Sequence, residues 1–186
     1  MLYNKLARVE RKPIRHDPNN IVVYSDGACR GNPGKGGWGV YIELPDNTEQ
    51  RLYGGQHNTT NQKMELTAAV QALELLIAMP DFDSLKAAVE IVTDSKYVVN
   101  GMKEWIHKWK KNGWIGSNGR EVSNLDLWQR LAKAAAGVSA KWTWVKGHNG
   151  HPGNEVADAL ANRGIDELPH ISKFKSRLRV GDEEEE

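Results

Sequence analysis

Apolar residues cluster at strand-like spacing in the first third of the chain and change to a helical spacing near residue 60. The first 20 residues show no sustained period and contain Pro13, Pro18 and Asn19-Asn20, so they read as a flexible arm. Ile21-Val22-Val23-Tyr24 then opens a β-rich run that ends in Asp26-Gly27. Gly31-Asn32-Pro33-Gly34 and Gly36-Gly37 read as a turn-rich loop, Trp38 to Leu44 as a second strand, and Pro45-Asp46-Asn47 as a hairpin turn. Glu49 to Gly54 is the expected third strand.

From Thr60 the period becomes helical. Leu66, Val70, Leu73 and Ile77 are spaced 4, 3 and 4 apart, which predicts an amphipathic helix to about Met79, ahead of Pro80. Val89 to Thr93 is the next strand. Asp94-Ser95 can cap a short helix through Val99 that stops at Gly101, and a further helix is expected over Lys103 to Lys110. A Gly-containing loop runs to Arg120, and Asn124 to Ala136 is helical. Lys141 to Val145 alternates as a strand with Trp142 and Trp144 on one face, both assigned to the core. Pro152 opens a last helix that reaches Arg163. A strand meander followed by alternating helices and strands predicts an α/β fold, a mixed sheet flanked by helices.

Length and charge change this picture little. The 186 residues suit one domain, and a core of that size needs no disulfide. The single cysteine, Cys29, fits a reducing compartment. No apolar run reaches the roughly 20 residues that span a bilayer, and the N-terminus lacks the apolar core of a secretory signal. The expectation is a cytoplasmic protein with no membrane partner, monomeric by default. The net charge is +1, but the arm carries five basic residues against two acidic ones, and Asp182 to Glu186 are all acidic. The body that remains is mildly basic and compatible with a polyanion.

Four carboxylates stand out by placement. Asp26 and Asp94 lie where strands end, Glu65 near the start of the long helix, and Asp158 inside the last one. Singly, each has a plain reading: turn, cap or solvated helix residue. Their neighbours argue otherwise. Glu65 shares its helix face with Ala68, Ala69 and Ala72, and Asp158 has Ala161 at i+3 and Ala157 and Ala159 beside it, faces suited to close packing. If both helices pack beside Asp26 and Asp94, the four acids converge and their repulsion requires an offset. Hard divalent cations with oxygen ligands supply one, and an ion pair about 4 Å apart suits in-line phosphodiester displacement.

Ser25-Asp26-Gly27-Ala28-Cys29-Arg30-Gly31-Asn32-Pro33-Gly34, Thr60 to Leu66, Thr93 to Val98, and Trp144 to His148 with Gly153 to Asp158 resemble, in order and spacing, the type 1 ribonuclease H family from about Ile21 to Gly164. The resemblance implies a five-stranded mixed sheet flanked by helices over residues 21–166, between the arm (1–20) and a tail (167–186). It implies an endonuclease that hydrolyses the RNA strand of RNA–DNA hybrids, leaving a 5′-phosphate and a 3′-hydroxyl. Asp26, Glu65, Asp94 and Asp158 would hold two Mg²⁺ ions, with Mn²⁺ as a substitute, one activating water and the other stabilising the leaving oxygen. His148, otherwise an exposed loop histidine, would assist proton transfer or product release. Main-chain groups near Cys29 and Gly31, with Asn32, Asn61 and Gln62, would read 2′-hydroxyls across the minor groove. From the residues alone, Asn32 and Asn61 are equally turn and cap residues.

Trp105, Lys108, Trp109, Lys110 and Lys111 read either as a helix pinning its aromatic side to the domain or, by resemblance, as a basic protrusion that grips the DNA strand. The chain departs from familiar bacterial members at Lys96, where glutamine is often found, and at Val156, where a basic residue is common. Ser172 to Arg179 reads as a basic tail ahead of the acidic end. Three rivals are a strand-transferring integrase or transposase, a non-catalytic hybrid-binding module, and a domain of a reverse transcriptase. The Asn61 to Leu66 block opposes the first, the complete acid set with His148 the second, and the chain's own tails the third.

Overall fold

The computed structural model describes residues 5–6, 19–80, 82–85 and 87–169. Most of the expected arm, the basic stretch Ser172 to Arg179 and the acidic end lie outside the described residues. The elements are strands β1 (Lys5–Leu6), β2 (Asn20–Arg30), β3 (Gly34–Glu43) and β4 (Glu49–Thr59), helices α1 (Asn61–Ala78) and α2 (Phe82–Leu85), strand β5 (Ala88–Thr93), helices α3 (Lys96–Asn100), α4 (Ile106–Lys111) and α5 (Leu125–Ala136), strand β6 (Ala140–Trp144) and helix α6 (Pro152–Asp166).

The strands lie in the order β1-β4-β3-β2-β5-β6. Pairing is antiparallel from β1 to β2, because hairpins join the long strands there, and parallel from β2 through β5 to β6, where helical crossovers intervene. The five longer strands are the mixed sheet expected. To it the structure adds β1, whose Lys5 and Leu6 pair with Tyr53 and Leu52, so two residues of the arm join the sheet edge.

Alternation along the strands sorts side chains to two faces. Ile21 and Val23 of β2 and Trp38, Val40 and Ile42 of β3 face α1 in the main core, and α5 packs on α1. Tyr24, Tyr41, Tyr53 and Val92 form a smaller cluster under α6 with Ala157 and Leu160. The expected stripe on α1 holds at Leu66, Val70 and Leu73, all fully buried, but Ile77 is exposed and Leu76 is buried instead.

Three sequence expectations are corrected. The glycine-rich stretch after Asn32 is strand from Gly34 onward. Its glycines serve close packing: a Cβ at Gly37 or Gly39 would strike the main chain of α6 at Ala161 or Ala157. Gly101 does not stop a helix. Residues Gly101–Trp105 form a π-helical turn that joins α3 to α4, and a Cβ at Gly101 would strike the Trp128 ring. Trp144 is not a core residue. Trp142 is buried, but Trp144 closes β6 and is 42% exposed, beside the cleft described below.

Candidate active site

Two adjacent strands of the sheet and one helix on each of its faces bring the carboxylates together; the β-rich run expected to end in Asp26-Gly27 continues as β2 to Arg30, so Asp26 lies inside the strand and only Asp94 at a strand end. Asp26 lies on β2, paired opposite Gly39 of β3. The next residue, Gly27, lets α1 approach, since a Cβ there would meet the main chain of Met64 and Glu65. Thr60 fixes the start of α1 by accepting from the Lys63 amide (3.3 Å), which sets the height of Glu65 one turn in. Asp94 follows β5. Ser95, rather than Asp94, caps α3 through the Val98 amide (3.2 Å), leaving the Asp94 carboxylate free of capping. Gly147 lies against that carboxylate, so the following loop brings His148 to the site. Asp158 comes from α6.

The electrostatics record the convergence. Asp26 is 7% exposed. Its carboxyl is pushed up from 3.8 to about 8, first by burial, then by Asp94, with smaller effects from Asp158 and Glu65, against the Gly27 amide that donates to Oδ1 at 2.7 Å. Burial, with Asp94, also raises Glu65, while Ser95 and Asn61 oppose the rise. Glu65 is held at both oxygens: Asn61 Nδ2 donates to Oε1 (2.8 Å) and Ser95 Oγ to Oε2 (2.6 Å). Asn162 Nδ2 donates to Asp158 Oδ1 (2.9 Å). His148 Nδ1 stands 3.9 Å from Asp158 Oδ2 on an exposed side chain, with a left-handed φ of 51°.

Among the described residues no three His, Cys, Asp or Glu side chains gather tightly enough to form a metal cage by themselves. Two of the acids, Glu65 and Asp94, instead line an open cleft. That fits ions that keep several waters and take ligands from a phosphate, as Mg²⁺ does, better than an ion needing a closed protein shell. An all-oxygen donor set whose most buried member resists ionisation has the chemistry that a hard divalent cation would offset.

The expected substrate readers divide into two groups. Asn32, Asn61 and Gln62 share an open cleft of about 820 Å³ with Glu65 and Asp94. Asn32 Oδ1 accepts from the Asn61 amide (3.3 Å), tying the two elements. Cys29 and Gly31 lie on the neighbouring hairpin, where the Cys29 thiol donates to the Gly31 carbonyl (2.7 Å). Trp105, Lys108 and Trp109 line a second cavity of about 500 Å³. Tyr97 lines both cavities. Lys110 and Lys111 are exposed in the last turn of α4. Trp109 also packs on the core, with Trp128 edge-on at 5.2 Å, so pinning and exposure coexist on this helix.

Sequence reading missed Ser95 as an orienting donor and missed Asn162, although its i+4 spacing from Asp158 was a usable signal. It also missed Trp144, whose Nε1 donates to the Asp94 carbonyl (2.9 Å), because its partner lies just past the end of another strand.

Known proteins share the sequence and fold of this chain. The RNase H family model matches residues 18–166. Ribonuclease H of Alcanivorax borkumensis is 52% identical over 151 residues, covering 81% of this chain and 95% of that protein. Ribonuclease HI of Pseudomonas aeruginosa is 48% identical over 153 residues, covering 82% and 98%. Among solved structures, LC9-RNase H1, a type 1 RNase H with the type 2 active-site motif, superposes with a TM-score of 0.70 at 31% identity over 82% of this chain and 75% of that one. LC11-RNase H1, solved in complex with an RNA/DNA hybrid, gives 0.61 at 25% identity over 79% and 97%. With its mixed sheet and the acid-bearing motifs in family order, the chain belongs to the type 1 RNase H family and is an endoribonuclease.

Proposed function

We propose that this chain hydrolyses the RNA strand of RNA–DNA hybrids, leaving a 5′-phosphate and a 3′-hydroxyl, with Asp26, Glu65, Asp94 and Asp158 holding two Mg²⁺ ions, or Mn²⁺ in their place. The observation that carries the reading is the convergence of four carboxylates from β2, α1, α6 and the end of β5 on one basin, with Asp26 held at about 8 by burial and by the other three. Bound divalent ions supply the positive charge that phosphodiester displacement needs and lower the pKa of water. The chain's own residues do the positioning. Ser95 and Asn61 fix Glu65, the Gly27 amide fixes Asp26, and Asn162 fixes Asp158, so little reorganisation is left for the reaction. His148, at the exposed mouth of the basin, is free to carry a proton to or from the cleaved phosphate.

Recognition and catalysis meet at Asn61. Its Nδ2 is committed to Glu65, so its Oδ1 is left to accept from a 2′-hydroxyl, and Gln62 and Asn32 lie in the same cleft. Trp105, Lys108, Trp109, Lys110 and Lys111 would hold the DNA strand, and main chain near Cys29 and Gly31 the minor groove. The solved hybrid complex of LC11-RNase H1 supports that substrate class. A monomer working in the cytoplasm fits the single cysteine, and no described helix is long and apolar enough to cross a membrane.

The test is a labelled hybrid beside RNA–RNA and DNA–DNA duplexes, with and without Mg²⁺. Cleavage of the hybrid's RNA strand alone, dependent on Mg²⁺ and giving 5′-phosphate ends, is expected. Equal cutting of the duplexes, or full activity in EDTA, refutes the proposal.

A further inference from the structure

Trp144 and Lys96 form a cation–ring pair in the cleft beside Asp94. Trp144 ends β6 and keeps 42% of its surface exposed. Its Nε1 is tied to the Asp94 carbonyl at 2.9 Å, which fixes the plane of the ring. The Lys96 ammonium lies over that ring, 4.7 Å from its centroid. Both side chains line the cleft that holds Asn61, Gln62, Glu65 and Asp94.

The placement of Lys96 is unfavourable within the free chain. It is the first residue of α3, where the helix dipole disfavours a cation. No ion pair offsets this: no described carboxylate pairs with Lys96, although Glu65 and Asp94 line the same cleft. The ring therefore holds a cation two residues after Asp94, outside ion-pair distance of the described carboxylates. A polyanion approaching that basin meets like charge, and a cation held at its rim lowers the electrostatic barrier to entry.

We propose that Lys96 is a substrate-positioning residue: its ammonium engages a backbone phosphate flanking the scissile one, and Trp144 is the platform that aims it. The inference rests on the hybrid-cleaving reading above and adds a contact and its support to that site. A lysine on a free stem samples many rotamers, whereas one resting on a fixed ring has fewer to lose when it meets a phosphate. The tether also couples the platform to Asp94, because the same indole sets ring and main chain together.

The test is steady-state cleavage of a hybrid in Mg²⁺ over a series of salt concentrations, for wild type, K96Q, K96R, W144F, W144L and K96Q/W144L. Far-UV circular dichroism and melting establish that each variant is folded. Losing one charge-assisted contact in K96Q should raise KM by about 3–10-fold, with a smaller change in kcat. The slope of log KM against log salt should flatten by about 0.7–0.9, the equivalent of one phosphate. K96R should keep the slope. W144F, which retains an aromatic face, should stay near wild type, and W144L should raise KM as K96Q does. The double variant should be no worse in KM than K96Q alone, since the ring acts through the lysine. An unchanged KM and slope in K96Q overturns the proposal. So do additive KM losses in the double variant, which assign Trp144 to Asp94 alone. If wild type fails to cut the hybrid at all, the underlying functional reading fails instead, so the two failures are distinct.

Discussion

Replacing Asp26 by Asn should abolish cleavage while making the metal-free protein more stable at neutral pH. The carboxyl is raised from 3.8 to about 8 in the folded protein, so the native state holds this proton where the unfolded chain has released it. Such a group adds stability fully below about pH 4, and that contribution is lost as pH rises through 8. At pH 7 the part of the shift already expressed, from the unfolded value up to pH 7, corresponds to on the order of 4 kcal/mol. Relaxation and solvent in an open basin reduce it to about 2 kcal/mol. Asparagine removes the ionisation but can still accept from the Gly27 amide that now binds Oδ1. At about 2–4 °C per kcal/mol for a domain of this size, D26N should melt roughly 4–8 °C above wild type at pH 7 in EDTA. The two should draw together as pH falls to 4 and converge below it, where the Asp26 carboxyl is neutral in the folded and the unfolded chain alike. Adding Mg²⁺ should stabilise wild type by mass action and D26N less, shrinking or reversing the gap. The assay is thermal unfolding from pH 4 to 8 in EDTA and in Mg²⁺, alongside hybrid cleavage. A D26N protein that melts below wild type at pH 7 in EDTA, or one keeping a tenth of wild-type turnover, would refute the reasoning.

Neutralising Lys108, Lys110 and Lys111 together should raise KM and flatten the salt dependence of hybrid binding, by up to about 0.9 in slope per lost phosphate contact. Turnover at saturation should change less, and a collapse in kcat at constant KM would count against a binding role. A hybrid with one ribonucleotide should be cut poorly and one with four consecutive ribonucleotides nearly fully, because each unread polar group among Asn32, Asn61 and Gln62 costs about 1–3 kcal/mol. Equal initial rates on the two would show that several 2′-hydroxyls are not read. Ser95→Ala removes both the α3 cap and a Glu65 donor. It should lower stability by about 1 kcal/mol and reduce kcat more than KM, readable by melting and initial rates; an unchanged kcat would show that Glu65 needs no such support.

What the sequence by itself determined is what neighbouring residues decide. The β-rich run from Ile21 to Tyr24, the helical period from Leu66 to Leu73 and Pro152 at a helix start all act within a few residues, where backbone hydrogen bonds and side-chain spacing are local, whereas the cap of α1 is Thr60 and not Asn61. The four acids were visible because each sits in a distinctive local block. Tertiary structure decided what depends on a distant backbone. Gly36 and Gly37 read as loop until β3 pairs through them and α6 packs on Gly37, and Gly101 as a helix stop until Trp128 fills the space beside it. Trp142 and Trp144 share a strand face, but one lies under the core and the other passes its edge to meet Asp94. The rise of Asp26 to about 8 belongs to no segment, since it arises from burial and from charges on β5's end, α1 and α6 that only the fold brings within range.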